Sequence, residues 1–268
     1  MEWIKTGNYP SVPVTAVVLD FDGTISTLRE GWETIMEPLM LEMISPETPP
    51  SAGLVRKVQD YISESIGIQT IFQMEWLAEQ VKEAGESKEP HDAWWYKDLY
   101  NQRLLEQVQQ RIARLESGAC LPESYQIAGS KAFLAELHRK GVKIYIASGT
   151  DDVDVKKEVK VLGLDQYVSE IHGAPHREKS CSKEKVIQML LRKTASDGNG
   201  SRLAVIGDGK VEIRLGKEAG ARTIGLASDE KRRHGFNELK RAKLIQAGAD
   251  IITGDFSQPE KLLKFLGY

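Results

Sequence analysis

The run VTAVVLD at residues 14–20 is short, apolar up to its last residue and rich in β-branched side chains. That is the pattern of a strand buried on both faces of a parallel sheet, and it restricts the fold more than any other feature of the chain. The next strand-like run comes late. From residue 30 to 118 the apolar residues take helical spacing, in WETIMEPLMLEMI, GLVRKVQDYISESI, IFQMEWLAEQVKEA and WWYKDLYNQRLLEQVQQRIARL, punctuated by SPETPPSAG and GESKEPHD. After SGACLPES helices and strands alternate: helix SKAFLAELHRKG, strand VKIYIAS, helix DVDVKKEVKVLGL, a short strand near YVSEIHG and helix SKEKVIQMLLRKT. The polar turn DGNGS then leads into strand RLAVIGD, helix VEIRLGKEAG, strand ARTIGLA, helix FNELKRAKLIQAG, strand DIIT and helix PEKLLKFLG. Repeated βα units imply an α/β fold with a doubly wound, Rossmann-like parallel sheet. The expected organisation is a core of residues 1–28 and 120–268, with an all-helical cap domain, residues 29–119, inserted behind the first strand where it can cover that strand's tip.

Composition excludes several functions. The 268 residues are 41% hydrophobic and 28% charged, with 36 basic against 39 acidic side chains and a formal net charge of -3. Such a balance gives no global case for nucleic acid or membrane binding. No apolar run reaches the length of a spanning helix, and the opening MEWIKTGNYP lacks the basic and apolar regions of a secretory signal. Cys120 and Cys181 form no CxxC pattern, so both are expected as reduced thiols in a cytoplasmic protein.

Ligands of open parallel sheets bind beyond the carboxyl ends of the strands. Strand one ends in Asp20 and reaches Asp22 through a turn. The strand at 142–148 ends in Ser148-Gly149-Thr150, and that at 203–207 runs into GDGKVE, with Asp208 and Glu212. Lys183 opens a helix expected beside them, behind Ser182 as its N-cap. Carboxylates crowded on one rim raise one another's pKa unless a cation neutralises them. A set of hard oxygen donors suits Mg²⁺, and a serine followed by glycine offers a hydroxyl and open backbone amides to an anion. Together the parts describe a phosphoryl-transfer site with a carboxylate nucleophile.

DFDGT (20–24), IASGT (146–150), Lys183 at a helix start and GDGKVE (207–212) resemble the four ordered motifs of the haloacid dehalogenase-like superfamily. The resemblance covers roughly residues 12–30 and 120–268, and the insertion between the first two motifs looks like that superfamily's helical cap of the C1 type. It implies Asp20 as the nucleophile that forms an aspartyl-phosphate, and Asp22 as the acid, then base, of the two half-reactions. It implies Ser148, Gly149 and Lys183 around the phosphoryl oxygens. Mg²⁺ would lie on the Asp20 carboxylate, the Asp22 backbone carbonyl and Asp208, with Glu212 acting through water or from behind. The implied activity is phosphate release from a small phosphorylated metabolite of sugar or polyol type. A phosphomutase of the same superfamily and a non-catalytic phosphometabolite-binding module are the alternatives.

Elsewhere the plainer readings prevail. Arg29, Glu30 and Trp32 are expected as a solvated loop and a core tryptophan, and IGIQT (66–70) as a connection that could alternatively face the site. HDAWWYKDLY reads as an aromatic core stripe and DEKRRHGFNELKRAK as a solvated helix face. His176 and Cys181 lack the further ligands of a zinc site.

Overall fold

Successive residues of a strand face opposite ways, and here each set meets its own layer of helices. The computed structural model describes residues 1–3, 12–179, 182–194 and 200–268. Its sheet contains β1 (Glu2–Trp3), β2 (Ala16–Leu19), β3 (Lys143–Asp151), β4 (Glu170–Ala174), β5 (Leu203–Gly207), β6 (Arg222–Leu226) and β7 (Ile251–Thr253). The strand order is β1-β7-β6-β5-β2-β3-β4, so β2 lies in the middle, with the later strands added first on one side and then on the other. This is the topological switch point of a doubly wound sheet.

The helices of the second half are α5 (Ser130–Arg139), α6 (Asp152–Val161), α7 (Ser182–Thr194), α8 (Lys210–Glu218), α9 (Glu238–Gln246) and α10 (Pro259–Leu266). Val17 and Leu19 of β2 pack with Phe133 of α5, Val155 of α6 and Leu262 of α10. Ala16 and Val18 turn to the other face and pack with Val186 and Leu190 of α7. A strand apolar on both sides is therefore what this three-layer arrangement requires.

Strands β2 to β7 pair in parallel, but β1 joins β7 antiparallel at the edge. The sequence gives no sign of β1, because two residues carry no periodicity. Cys181, most of the DGNGS turn and the Ser182 side chain lie outside what is described. Among the described residues no helix is long and apolar enough to cross a membrane.

Between β2 and α5 come α1 (Glu33–Ile44), α2 (Ala52–Glu64), α3 (Thr70–Ala84) and α4 (Ala93–Glu116). They bury a core of their own. Tyr96, Tyr100, Leu104, Val108 and Ile112 recur every fourth residue along α4 and meet Met36, Leu39 and Met40 of α1 and Met74 and Leu77 of α3. That spacing lines one helix face, which is why the period changes so sharply after β2. Ser51 and Asp92 cap α2 and α4 by accepting from the Leu54 and Trp95 amides at 3.2 and 2.8 Å.

At the amino ends of β6 and β7, remote from the strand tips, Asp250 is wholly buried. It accepts from the Thr223 amide and hydroxyl, both at 2.8 Å, and from Lys217 Nζ at 2.6 Å. Removing a buried carboxylate strands its donors without partners. Asp250→Ala is expected to lower the unfolding free energy by about 2–3 kcal/mol, seen as a lower urea midpoint; an unchanged midpoint would show that the network is dispensable.

Candidate active site

Register brings the site together. Leu19 is level with Ile146 on one side and Ile206 on the other, so Asp20 stands beside Ala147 and Gly207, and Ser148 and Asp208 follow one residue on. The Asp20 amide donates to the Ile206 carbonyl at 2.9 Å, carrying the ladder one residue past β2. The three motif strands thus end on one rim.

Asp20 is 6% exposed and Lys183, in the first turn of α7, is 3% exposed. Lys183 Nζ lies 3.0 Å from Asp20 Oδ2 and 2.9 Å from Glu212 Oε2. Asp20 Oδ1 accepts from the Phe21 amide at 2.8 Å. Burial pushes the Asp20 carboxyl well above the usual carboxylate range, and Lys183 offsets that only in part. Burial also opposes the Lys183 charge, but Asp20 and Glu212 outweigh it and hold the ammonium above the usual lysine range. The second oxygen of Glu212 accepts from the Gly209 amide at 2.5 Å and closes the first turn of α8. Glu212 therefore serves a helix terminus and a lysine together.

Asp208 is paired on both oxygens. Oδ1 accepts from Thr24 Oγ1 at 3.2 Å and Oδ2 from Lys240 Nζ at 2.6 Å. Oxygens of Asp20, Asp208 and Glu212 lie within 4.8 Å of one another. So close a cluster needs backbone without side chains. A Cβ on Gly207 would stand 2.3 Å from Glu212 Oε1, and one on Gly23 would stand 2.3 Å from Asp208 Oδ2. Gly23 also has φ +72°, where an L side chain is strained.

Asp22 faces a different set of partners. Ser148 Oγ and Thr150 Oγ1 donate to its Oδ2 at 3.2 and 2.8 Å. Its Oδ1 is buried with no hydrogen-bond partner, and Arg29 Nε is 3.9 Å away. The Ser148 hydroxyl, expected to face an anion, is thus directed here to Asp22. Gly149 passes close beneath the helical unit, where a Cβ would lie 3.4 Å from the Ile68 carbonyl.

Several plain readings of the sequence are corrected. Arg29 is no solvated loop residue: it is 8% exposed and donates to both oxygens of Glu158, the closest contact being 2.6 Å. Burial works against its charge, but Glu158, Asp22 and Asp154 outweigh that. Lys97, within the aromatic stripe, is buried beside Asp151 at 2.5 Å, and Asn101 donates to the same carboxylate at 2.9 Å. Lys240 does not lie on a solvated face. It is 9% exposed and joins Asp208 to Glu230, 2.6 Å from each. The loop at 66–70 does face the site, and its Gly67 carbonyl is 3.5 Å from Lys183 Nζ. Glu230 has a signal that could have found it, since it follows the carboxyl end of β6. Arg29, Lys97 and Lys240 have none, because their partners are far along the chain.

A cavity of about 120 Å³ separates the rim from the helical unit. Trp32, Thr70, Gln73, Tyr100 and Asn101 line it on the helical side, and Asp20, Asp22, Ser148 and Lys183 on the sheet side. Five carboxylates gather on the rim (Asp20, Asp22, Asp208, Glu212 and Glu230) against the ammoniums of Lys183 and Lys240. The surplus of negative charge and the hard oxygen donors of Asp20, Asp208 and Glu212 fit a divalent cation such as Mg²⁺. Among the described residues Cys120 is a free thiol, and nothing resembling a zinc site surrounds His176.

The family model described as haloacid dehalogenase-like hydrolase matches residues 14–220. No curated protein matches the chain. A predicted phosphoglycolate phosphatase from Haemophilus somnus 129PT superposes with a TM-score of 0.63 at 15% identity, over 93% of this chain and 97% of that one. A predicted phosphatase from Clostridium acetobutylicum gives 0.60 at 17% identity, over 94% and 100%. A β-phosphoglucomutase from Clostridium difficile gives 0.57 at 13% identity, over 94% and 97%. These likenesses establish a shared fold.

The crowding at Gly23 makes a test of the rim's geometry. Gly23→Ala is expected to lower the unfolding free energy by about 2 kcal/mol or more, read as a fall in Tm, and a wild-type Tm would refute the close packing of the turn on Asp208.

Proposed function

The chain belongs to the haloacid dehalogenase-like hydrolase family, and from that premise we propose that it is a Mg²⁺-dependent phosphatase of a small phosphorylated metabolite, working through an aspartyl-phosphate. One observation carries the proposal: the two aspartates of DFDG have separate surroundings. Asp20 lies against Lys183 among the clustered carboxylates, whereas Asp22 is held through one oxygen by Ser148 and Thr150. The first suits a nucleophile and the second a proton carrier.

In the first half-reaction an Asp20 carboxylate oxygen attacks phosphorus and the ester P–O bond breaks. Asp22 gives the departing alkoxide its proton, and Oδ1, which accepts no hydrogen bond and lies 3.9 Å from Arg29 Nε, is the atom free to carry it. In the second half Asp22 takes a proton from water as that water attacks the phosphorus, which frees inorganic phosphate and restores Asp20. Ser148 Oγ, the Gly149 amide and the Lys183 ammonium, whose contact with the Gly67 carbonyl is the longest of its three, bind the phosphoryl oxygens. The Asp20 carboxylate, the Asp22 backbone carbonyl and Asp208 would hold Mg²⁺, which would supply charge neutralisation between the carboxylates and the phosphoryl group. Glu212, committed to Lys183 and the Gly209 amide, acts from behind.

Residues 29–119 form the cap that covers the substrate and residues 1–28 and 120–268 the core that reacts with it. The cations on the cap side are already paired, Lys97 with Asp151 and Arg29 with Glu158, and Glu33 adds a carboxylate to the lining. Thr70, with Gln73 and Asn101, whose amide nitrogens already donate to Ser65 and Asp151, supplies the hydrogen-bonding groups beside the Trp32 and Tyr100 rings. Such a lining favours an uncharged, hydroxylated leaving group, as in a sugar or polyol phosphate. A cavity of about 120 Å³ disfavours phosphoproteins and nucleic acids. The balanced charge and the lack of a CxxC pattern in the sequence are in keeping with a cytoplasmic enzyme that has no membrane partner.

Purified protein with Mg²⁺ is expected to release phosphate from members of a panel of sugar phosphates, nucleotides and phosphorylated acids, and to stop when the metal is chelated. Asp20→Asn is expected to lower kcat/KM by about 10³-fold or more with the fold intact; activity retained on para-nitrophenyl phosphate would refute the mechanism. Asp22→Asn is expected to cost about 10²- to 10⁴-fold. Conversion of a hexose 1-phosphate to its 6-phosphate without free phosphate would instead identify a phosphomutase.

A further inference from the structure

Lys240 is a buried cation with no part in the reaction just described, yet it sits on the carboxylate assigned to the metal. Its ammonium has three acceptors: Asp208 Oδ2 and Glu230 Oε1, both at 2.6 Å, and Ser228 Oγ at 3.4 Å. The backbone that carries it is fixed, since Asn237 caps α9 by accepting from the Leu239 and Lys240 amides at 3.1 Å each. Ser228 is fixed in turn by donating to the Gly23 carbonyl in the DFDG turn. Meanwhile Thr24 Oγ1 takes the other oxygen of Asp208. Both oxygens therefore already have donors, and a divalent cation on Asp208 would have to share that one carboxylate with a fixed positive charge.

We propose that Lys240 is a tethered cation that holds Asp208 in the metal-free protein and lowers the affinity of the site for Mg²⁺, with Glu230 receiving the ammonium when the metal binds. A purely structural lysine would need only one buried carboxylate, and Glu230 alone could satisfy it. That Lys240 spans Glu230 and Asp208 places its charge against the metal's position. The flexible stem of lysine allows a small withdrawal toward Glu230 and Ser228 without moving α9. The arrangement balances a rim that would otherwise bury like charges whenever the metal is absent, and sets that benefit against tight binding.

The inference rests on the metal reading of the previous subsection, and calorimetric titration of metal-stripped protein with MgCl₂ separates the two. Lys240→Met removes the competing charge and is expected to lower the Kd for Mg²⁺ by about tenfold or more. Glu230→Gln leaves the ammonium to Asp208 alone and is expected to raise the Kd several-fold. General damage to the site would weaken both variants, so the opposite signs are the signature. A Kd for Lys240→Met equal to or above the wild-type value, with circular dichroism showing a folded protein, overturns the proposal. If that variant does not fold, Glu230→Gln decides, and a Kd unchanged or lowered overturns the proposal. Wild-type protein that binds no Mg²⁺ overturns the metal reading and this inference with it.

Discussion

Like charge buried on one rim is the constraint that shapes this molecule. Asp20, Asp208 and Glu212 bring oxygens within 4.8 Å of one another, and Asp22 and Glu230 stand beside them. Isolated carboxylates so enclosed would take up protons or unfold the rim. Each instead has a donor of its own: Lys183 between Asp20 and Glu212, Lys240 between Asp208 and Glu230, and two hydroxyls on Asp22. The close approach of backbone to carboxylate is possible only where Cβ is missing, at Gly23 and Gly207.

The same electrostatics join the helical unit to the sheet. It has an apolar core of its own, built on the every-fourth stripe of α4. It meets the rim through polar groups: Lys97 and Asn101 on Asp151, the Gly67 carbonyl near Lys183, and Lys243 on the Ser63 carbonyl at 2.6 Å. Asp151 follows directly on Ser148-Gly149-Thr150, so helix α4 grips the residue next to the loop that faces Asp22. Movement of the helical unit would be felt at that loop through two hydrogen bonds, alongside apolar contact where Leu115 of α4 packs on the sheet's core and Val161 of α6 on the helical one. Polar contacts of this kind are less costly to open than a hydrophobic interface.

Much of this was legible in the one-dimensional pattern. The buried strand before Asp20, the helical block behind it and the later βα alternation are all consequences of short-range periodicity, which packing against a two-sided sheet or around a small helical core enforces locally. The rule that strand ends share a rim was enough to gather Asp20, Ser148 and Asp208, because parallel register carries each strand tip to the same level. Lys183 followed from its place at a helix start.

The fate of the remaining charges was settled by the three-dimensional packing. Arg29 finds Glu158 across 129 residues, Lys97 finds Asp151 across 54 and Lys240 finds Asp208 across 32. Each was expected as an ordinary surface or stripe residue, since in sequence a charged side chain shows its own preference for water and nothing of the counter-charge that would let it leave water. β1 escaped notice for a related reason, two residues being too few to show a period. Apolar pattern is a local property and was written openly in the chain, whereas the burial of a charge is a property of pairs, and the pairs exist only once the sheet has brought its strand ends together.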